Sequence, residues 1–379
     1  MAEQPLGSIS EHFGQLEDPR IERNKLHPLL NIIVIAICAV ICGAENWVDV
    51  ELYGNLKKDW LGKYLDLTNG IPSHDTFGRV FRLLKAEAFQ ACFLAWVKAV
   101  NTITSGQVIA IDGKELRRSM DETLGKRAIH MVSAWASENR LVLAQQKVDE
   151  KSNEITAIPA LLEMLEIAGC IITIDAMGCQ TEIAQQITDQ QGEYVLAVKE
   201  NQGHLFEDIE HLCQLYLQHE QPMFYFNDYA KTVDKDHDRI EIRECWILDA
   251  AFYGPSIRNM TEWAKIQTIV MIRRERRLPD KTEIHTRYYI SSLKGSAERF
   301  LKVIREHWGI ENSVHWVLDM AFNEDQSRLH KDNGAENLAV IRHIALNLLR
   351  NEKTAKVGIK AKRLKAGWDD AYLFKVLSS

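Results

Sequence analysis

The chain has 379 residues, of which 46% are hydrophobic and 26% are charged. This composition is that of a globular protein, which excludes a disordered or collagen-like chain, and the length is sufficient for two or three domains. The formal net charge is −7. An acidic balance excludes a protein with a uniformly basic surface for nucleic acid, but it is compatible with a local basic groove.

Seven cysteines are scattered through the sequence without a Cys-x-x-Cys pair. Their number is odd and most lie among apolar residues, as Cys38 and Cys42 do. We therefore expect reduced, buried thiols in a cytoplasmic protein, and neither a disulfide framework nor a zinc knuckle. The first ten residues lack the basic and apolar segments of a signal peptide, so none is expected.

The first hundred residues are predicted to be helical. An apolar run over residues 29–44 is too short to cross a bilayer and predicts a central buried helix, with no membrane association. Further helices are predicted at residues 46–56, 74–84 and 86–100. Ser73 is placed to cap one of them. The last two weakly resemble a helix-turn-helix that would present Arg79 and Arg82 to DNA; the alternative is a plain packed pair of helices.

From about residue 108 the pattern changes to short β-branched runs. Strands are predicted at 108–111, 129–137, 141–149, 171–174 and 194–198, with helices at 158–168 and 181–189. Three strands followed by alternating helices and strands predict a mixed sheet with helices on its faces. A β-rich stretch follows over about residues 222–293, and helices are predicted at 297–320 and 335–349.

Two of the predicted strands are followed directly by an aspartate, Asp112 in one case and Asp175 in the other. Ligands gather at the carboxyl ends of strands in α/β sheets, so these two side chains are expected to lie together. Their mutual repulsion would be relieved by a divalent cation, and oxygen ligands favour Mg²⁺ or Mn²⁺ over zinc. The alternative is that each aspartate only caps the turn that follows it.

A row of polar residues recurs every four positions, comprising His307, Glu311, His315 and Asp319. At this spacing the side chains line one face of a helix, which is either a solvated face or a row of ligands. A zinc hydrolase site fits poorly, because no His-Glu-x-x-His motif is present and two histidines eight residues apart on a helix are separated by about 12 Å.

These residues lie in segments that resemble the DDE-type transposases of bacterial insertion sequences. More closely, the chain is similar to the H-repeat-associated proteins found beside Rhs elements, and the resemblance covers essentially its whole length. The matching segments are residues 37–45, 70–75, 109–114, 149–159, 173–180, 197–203, 287–292, 307–312 and 315–319.

The resemblance implies an α/β fold, with an RNase H-like mixed-sheet catalytic core, a β-rich insertion and an all-helical N-terminal domain. It places the helical domain at residues 1–103 and the catalytic domain at 104–350. The insertion would lie at about 218–294, and a basic C-terminal tail at 351–379.

The family's catalytic residues are two aspartates and a glutamate that bind two Mg²⁺ ions, for which Mn²⁺ can substitute. Carried over to this sequence, they are Asp112, Asp175 and Glu311. The implied reaction is strand cleavage at the ends of the element, followed by strand transfer. The implied partner is double-stranded DNA, held by a homo-oligomer because two ends must be brought together. The protein would lie in the bacterial cytoplasm, associated with the nucleoid when bound to DNA.

The resemblance and the local charge also suggest DNA contacts. The candidates are Lys114, Lys199, Asn201, His237, Arg239, Arg305, His307 and His315. Two basic clusters, at residues 273–277 and 353–365, are expected to provide further positive charge for selected DNA-facing surfaces.

The sequence departs from the wider family around the predicted catalytic glutamate. Ile304, His307 and Leu318 stand where many relatives have Tyr, Arg and Lys, so Arg305, His307 or His315 would have to replace the missing cations. Glu200 stands where close relatives usually have Gly. Two alternatives therefore stay open: a degenerate relative that binds DNA without catalysis, and a nuclease without strand transfer.

Overall fold

Helices form both ends of the chain and surround a sheet in its middle. The computed structural model describes residues 6–100, 104–117, 119, 128–148, 153–218, 226–236 and 239–379. The α-helices are α1 (Gly7–Phe13), α2 (Leu29–Ile41), α3 (Trp47–Leu56), α4 (Lys58–Leu61), α5 (His74–Leu83), α6 (Ala86–Val100), α7 (Glu154–Met164), α8 (Thr181–Asp189), α9 (Gly203–Leu217), α10 (Ala250–Tyr253), α11 (Ala297–His307), α12 (Trp316–Phe322), α13 (Gly334–Asn351), α14 (Ile359–Trp368) and α15 (Asp370–Leu377). Short 3-10 turns lie at Glu22–Asn24, Glu200–Gln202, Gly254–Ser256, Met260–Glu262 and Glu324–Gln326, and a π-helical segment spans Glu311–His315.

The predicted apolar helix is the centre of the helical part of the molecule. Helix α2 is buried along almost its whole length, and its polar Asn31 donates to the carbonyl of Asp66 at 2.6 Å. Helix α13 packs along it, and Asn337 of α13 donates to the carbonyls of Phe81 and Leu84. The prediction of a buried helix is confirmed. Within the described ranges, no helix combines the length and the apolar character needed to cross a membrane.

Helices α5 and α6 are the pair that weakly resembled a helix-turn-helix. Ser73 caps α5 by accepting from the amide of Thr76, as predicted. Both helices pack against α13, and Arg82 forms an ion pair with Asp332 at 3.2 Å. This arrangement is that of a packed pair of helices; a contact of the exposed Arg79 with DNA stays a prediction.

The strands form a single mixed sheet of nine described strands in the order β3-β2-β1-β4-β5-β9-β8-β7-β6. They are β1 (Val108–Leu116), β2 (Ile129–Ala136), β3 (Leu141–Lys147), β4 (Ile171–Ile174), β5 (Glu193–Val198), β6 (Asp228–Asp236), β7 (Arg239–Asp249), β8 (Thr268–Arg277) and β9 (Thr282–Ser291). Strands β1, β4 and β5 are parallel, and every other pairing is antiparallel. The predicted mixed sheet with helices on its faces is confirmed.

The predicted insertion extends this sheet. Strand β9 pairs with β5 in antiparallel register, and β8, β7 and β6 follow outward. Helices α7 and α8 lie against the first five strands, and α11 packs on a second apolar cluster that includes Val108, Ile171 and Val195. Helix α11 therefore lies against both the first five strands and the added ones.

Five of the seven cysteines are buried, as expected.

The C-terminal segment was expected to present its cations to DNA, and for two of them this is wrong. Helices α14 and α15 pack against the helical bundle, and Lys362 and Arg363 are buried. The Arg363 guanidinium donates to the carbonyl of Val40 at 2.8 and 3.1 Å and lies over the ring of Phe322. The carbonyls at the end of α2 attract this cation, so its charge is used within the fold.

Candidate active site

The two aspartates that follow the parallel strands lie side by side. Strands β1 and β4 pair in register up to Ile111 and Ile174. Asp112 is the next residue after Ile111, and Asp175 is the next residue after Ile174. Strand β1 does not end at Ile111 as predicted, because β2 continues to pair with it as far as Leu116. Asp112 thus lies inside β1, at the point where only its neighbour β4 ends.

A cleft of about 740 Å³ opens at this point. Asp112, Asp175 and Glu311 all line it. Three residues that are 63 and 136 positions apart in the chain are therefore brought to one cavity. This is the juxtaposition that the sequence predicted, although their role as metal ligands stays a prediction.

The carboxylates of the cleft disfavour one another's charged form. Burial, then the charges of Glu154 and Asp112, raise the pKa of Asp175. Burial and the charge of Asp112 likewise raise the pKa of Glu311, against the opposing effect of His315 and Arg287. Crowded carboxylates of this kind are stabilised in the ionised state when a cation binds between them.

The donor chemistry of the cleft fits a divalent cation. All three candidate ligands offer carboxylate oxygens, which Mg²⁺ and Mn²⁺ prefer. In the part of the chain that the structure describes, no three His, Cys, Asp or Glu side chains are already arranged as a metal site.

The row of polar residues that starts at the end of α11 joins that helix to the sheet. His307 Nδ1 lies 3.0 Å from Thr173 Oγ1 on β4, and His315 Nε2 lies 3.3 Å from Asp112 Oδ2 on β1. Glu311, between these two histidines, faces the cleft. The row is thus neither a solvated face nor a row of four ligands, because its histidines hold the helix and its glutamate is left for the cavity.

The backbone around Glu311 departs from a regular α-helix. Residues Glu311–His315 form a π-helical segment between α11 and α12. Just before it, Gly309 comes so close to the ring of Trp135 on β2 that a Cβ at this position would clash with the indole. Such π segments occur often at functional sites. Here the close approach and the wider turn position Glu311 over the cleft, beside Asp112 in β1 and the end of β4.

Lys114 lies two residues beyond Asp112 and is held inside the chain. Its Nζ forms ion pairs with Asp319 and, at 2.9 Å, with Glu324. Burial lowers the pKa of Lys114, but the charges of Glu324 and Asp319 raise it by more. The pKa of Lys114 therefore lies above its ordinary value. This ammonium group joins β1 to the segment of residues 319–325. A contact of Lys114 with DNA stays a prediction.

The segment after β5 forms one rim of the cleft. Lys199 is exposed there, and Glu200 lines the same wall. Asn201 donates from Nδ2 to the carbonyl of Ala176 at 2.6 Å, which ties this segment to the residue after Asp175. The amide of Asn201 therefore holds the loop, and a DNA contact of Lys199 stays a prediction.

A second cavity, of about 470 Å³, lies between α11 and strands β7 to β9. We call it the arginine pocket, because its charged lining comprises Arg239, Arg243, Arg274, Arg287, Arg305 and Glu241, with His285. The arginine pocket and the carboxylate cleft share the wall formed by His285, Arg287, Tyr289 and Trp308. Arg287 stacks on Trp308, with its guanidinium carbon 4.4 Å from the ring centroid. The acidic and basic cavities are thus contiguous.

The arginine pocket keeps an excess of positive charge. Asp234 pairs with Arg243 at 2.7 Å and with Arg305 at 2.9 Å, and Glu241 also pairs with Arg243. The pocket thus has two acids, Asp234 and Glu241, against five arginines. Predicted contact residues Arg239 and Arg305 both line the pocket. His237, also predicted, lies outside the described residues.

Comparison with known proteins identifies the family. Residues 103–348 match the model of the transposase DDE domain, and residues 10–97 match the model of the DDE_Tnp_1-associated domain. The chain belongs to the DDE transposase family. This confirms the resemblance predicted from the motifs, and with it the RNase H-like core, which the strands β3-β2-β1-β4-β5 form.

Relatives of this DDE transposase cover it from end to end. It is 41% identical over 380 residues to "H repeat-associated putative transposase YhhI" of Escherichia coli K12, with 98% of each chain covered. It is 40% identical over 382 residues to "Putative transposase YncI" of Escherichia coli O157:H7, covering 99% of this chain and 95% of the relative. A shorter match is 44% identical over 75 residues to "Inactive transposase YbfQ" of Escherichia coli K12, covering 20% of this chain and 89% of the relative.

Membership in the family implies DNA as the partner of this transposase and, in general, dependence on a divalent metal ion. Sequence reasoning missed three members of the arginine pocket, namely Arg243, His285 and Arg287. Strand alternation offered a signal, since His285, Arg287 and Tyr289 share one face of β9. The same alternation divides the predicted 273–277 cluster, because Arg274 faces the pocket and Arg273 faces away.

Proposed function

We propose that this DDE transposase is catalytically active. It would cleave DNA at the ends of its element and transfer the cut strands to a target, with Asp112, Asp175 and Glu311 binding two Mg²⁺ ions or Mn²⁺ in their place. One observation carries the proposal: a cleft of three carboxylates shares a wall with a pocket of five arginines. A phosphodiester backbone is an anion that needs both a cation-binding centre and flanking positive charge.

The residues of the cleft would have different roles in in-line phosphoryl transfer. When bound, divalent cations at such carboxylates supply activation of the attacking hydroxyl and stabilisation of the leaving oxygen. Asp112 of β1 and Asp175, which follows β4, would provide oxygen ligands, and Glu311 would provide one from the helical segment above them. His315, whose Nε2 lies 3.3 Å from Asp112 Oδ2, would restrain that carboxylate.

The arginine pocket would hold the phosphates next to the reacting one. Arg287 stands at the shared wall, where its charge can offset that of a phosphate entering the carboxylate cleft. Arg239 and Arg305 extend the positive surface away from the cleft. Lys199 lies on the rim of the cleft that follows β5. A homo-oligomer would bring two such surfaces to the two ends of one element.

The test is cleavage of labelled DNA that carries the terminal sequence of the element, with Mg²⁺ present. Asp175→Asn should reduce strand nicking about a thousandfold or more, because a lost metal ligand removes several kcal/mol of transition-state stabilisation. The matched control is Asp189→Asn on the exposed surface of α8. Equal nicking by wild type and Asp175→Asn would show that the metal assignment is wrong.

The products distinguish transposition from two other activities. Strand-transfer products on a plasmid target support the proposal, whereas hydrolysis alone indicates a nuclease. A DNA-binding relative without catalysis is favoured by the match to a protein named inactive and by the replacement of the family's Arg and Lys by His307 and Leu318. That candidate would bind the end DNA and yield no metal-dependent cleavage.

A further inference from the structure

A fourth carboxylate lies against the strand that carries Asp112. Glu154 is the first residue of α7, a position where a glutamate side chain commonly faces solvent. Its side chain is instead only 12% exposed, and its Oε1 lies 2.7 Å from Nε2 of His130 on β2. Glu154 therefore turns inward, towards the sheet.

The point of contact is Gly113, the residue that follows Asp112. A Cβ atom at Gly113 would clash with the carboxylate of Glu154 and with the ring of His130. The absence of a side chain at this position allows the Glu154–His130 pair to rest directly on the backbone of β1. The pair thus supports the strand one residue beyond the predicted metal ligand.

The charge of Glu154 also reaches the second aspartate. The two carboxylates are close enough for their charges to repel each other. Next in the chain to Glu154, Ile155 lines the carboxylate cleft. Without a cation, a carboxylate in this place repels Asp175; with a cation bound, the same charge becomes favourable.

We propose that Glu154, oriented by His130, is a positioning residue that strengthens the binding of a divalent cation at the carboxylate cleft. It would act through Asp112, by supporting the backbone at Gly113, and through Asp175, by adding negative charge beside it. This inference rests on the proposed function, since it requires that the cleft bind a cation. The competing interpretation is an ion pair that only joins α7 to β2.

The experiment measures Mn²⁺ affinity of the full chain by calorimetry and by the electron paramagnetic resonance signal of the bound ion. Glu154→Gln keeps the size of the side chain and removes its charge, and it should weaken Mn²⁺ binding about tenfold, as expected for a unit charge lost near the ion. Glu163→Gln, on the exposed face of the same helix, should leave the affinity unchanged. Glu154→Asp should restore part of it.

Each outcome is decisive. If Glu154→Gln binds Mn²⁺ as well as Glu163→Gln does and differs only in thermal stability, the pair is structural and the inference is overturned while the proposed function stands. If wild type binds no Mn²⁺, both fail. If wild type binds it and only Glu154→Gln is weakened, with an altered resonance signal and rescue by Glu154→Asp, the inference is supported.

A second measurement needs no variant, in case Glu154→Gln does not fold. Fe²⁺ in place of Mg²⁺, with ascorbate and peroxide, generates hydroxyl radicals that cut the backbone of wild type beside the bound ion. Fragments ending near residues 112, 154 and 175 are expected. Cuts near 112 and 175 without any near 154 would overturn the inference, and Mg²⁺ in excess should suppress all of them.

Discussion

Two clusters of charged side chains flank β1, and they are built in opposite ways. The Lys114 cluster matches three cations, Lys114, Arg117 and Arg342, to three carboxylates, Asp319, Glu324 and Asp325. The carboxylate cleft, only two residues away along β1, brings Asp112, Asp175 and Glu311 together with an excess of negative charge. A balanced cluster stabilises the fold, whereas an unbalanced one costs stability and indicates a ligand.

The largest expected effect comes from unbalancing the balanced cluster. Lys114→Met should lower the free energy of unfolding by about 3–5 kcal/mol, because it leaves Glu324 buried without its main cation. Glu324 is only 2% exposed, so solvent cannot replace that partner. Urea denaturation of wild type and variant measures the difference.

The control for that prediction lies in the cleft. Because its neighbours and burial raise the pKa of Asp175, the ionised carboxylate is less stable in the folded chain than in the unfolded one. Asp175→Asn in the absence of metal should therefore leave the free energy of unfolding unchanged or raise it. An equal loss of stability in Asp175→Asn and Lys114→Met would remove the distinction between the two clusters.

The position of Glu311 depends on a close contact that can be broken by one methyl group. Gly309→Ala should lower the free energy of unfolding by up to about 3 kcal/mol, since the new Cβ would overpack against Trp135. Glu311 lies only two residues after Gly309, so a shift of the backbone there would move the carboxylate. The Mn²⁺ affinity should therefore fall as well. Gly358→Ala is the control, because a Cβ there meets open space; if both variants behave alike, the close approach does not position the cleft.

Local patterns predicted much of the fold. The cap at Ser73, the apolar run of α2 and the β-branched residues of β4 each specify an element through near neighbours in sequence, and all three elements lie where they were predicted. The pairing of Asp112 and Asp175 was also predictable, because both follow strands of the kind that lie parallel in such sheets.

Long-range contacts explain what the sequence did not reveal. The arginine pocket depends on the register of three antiparallel strands and on α11 above them, so no window of sequence contains it. The burial of Arg363 depends on carbonyls more than 300 positions away. Glu154 begins α7, and only the bare backbone of Gly113 opposite it reveals the contact.

The pH dependence of stability tests whether the surroundings of the Lys114 cluster exclude water, as the burial of its residues indicates. Burial lowers the pKa of His343, which lies near Glu324, to about 4. An unfolded histidine titrates near pH 6.5, so the folded chain favours the neutral ring. Its stabilising effect is complete above about pH 6.5 and is lost as the pH falls towards 4.

Between pH 7.5 and 5.0 this loss should amount to about 2 kcal/mol of the free energy of unfolding. Urea denaturation at both pH values measures it, and His343→Leu should flatten the dependence. A variant whose stability falls with pH as steeply as that of wild type would show that other groups are responsible.

The smallest expected effect concerns the positive side of the cleft, where neighbouring residues on opposite faces of β8 provide a matched pair. Arg274→Gln removes a cation that lines the arginine pocket, whereas Arg273→Gln removes one from the other face of the sheet. If DNA phosphates occupy the pocket, Arg274→Gln should weaken binding of duplex DNA by about 1 kcal/mol and reduce the slope of log affinity against log salt by about one. Arg273→Gln should change neither quantity, although both variants alter the net charge of the chain equally. Fluorescence anisotropy over a series of salt concentrations measures both. Equal effects of the two variants would mean that DNA responds to the overall charge of the sheet, and the contiguity of the arginine pocket with the carboxylate cleft would then have no bearing on DNA binding.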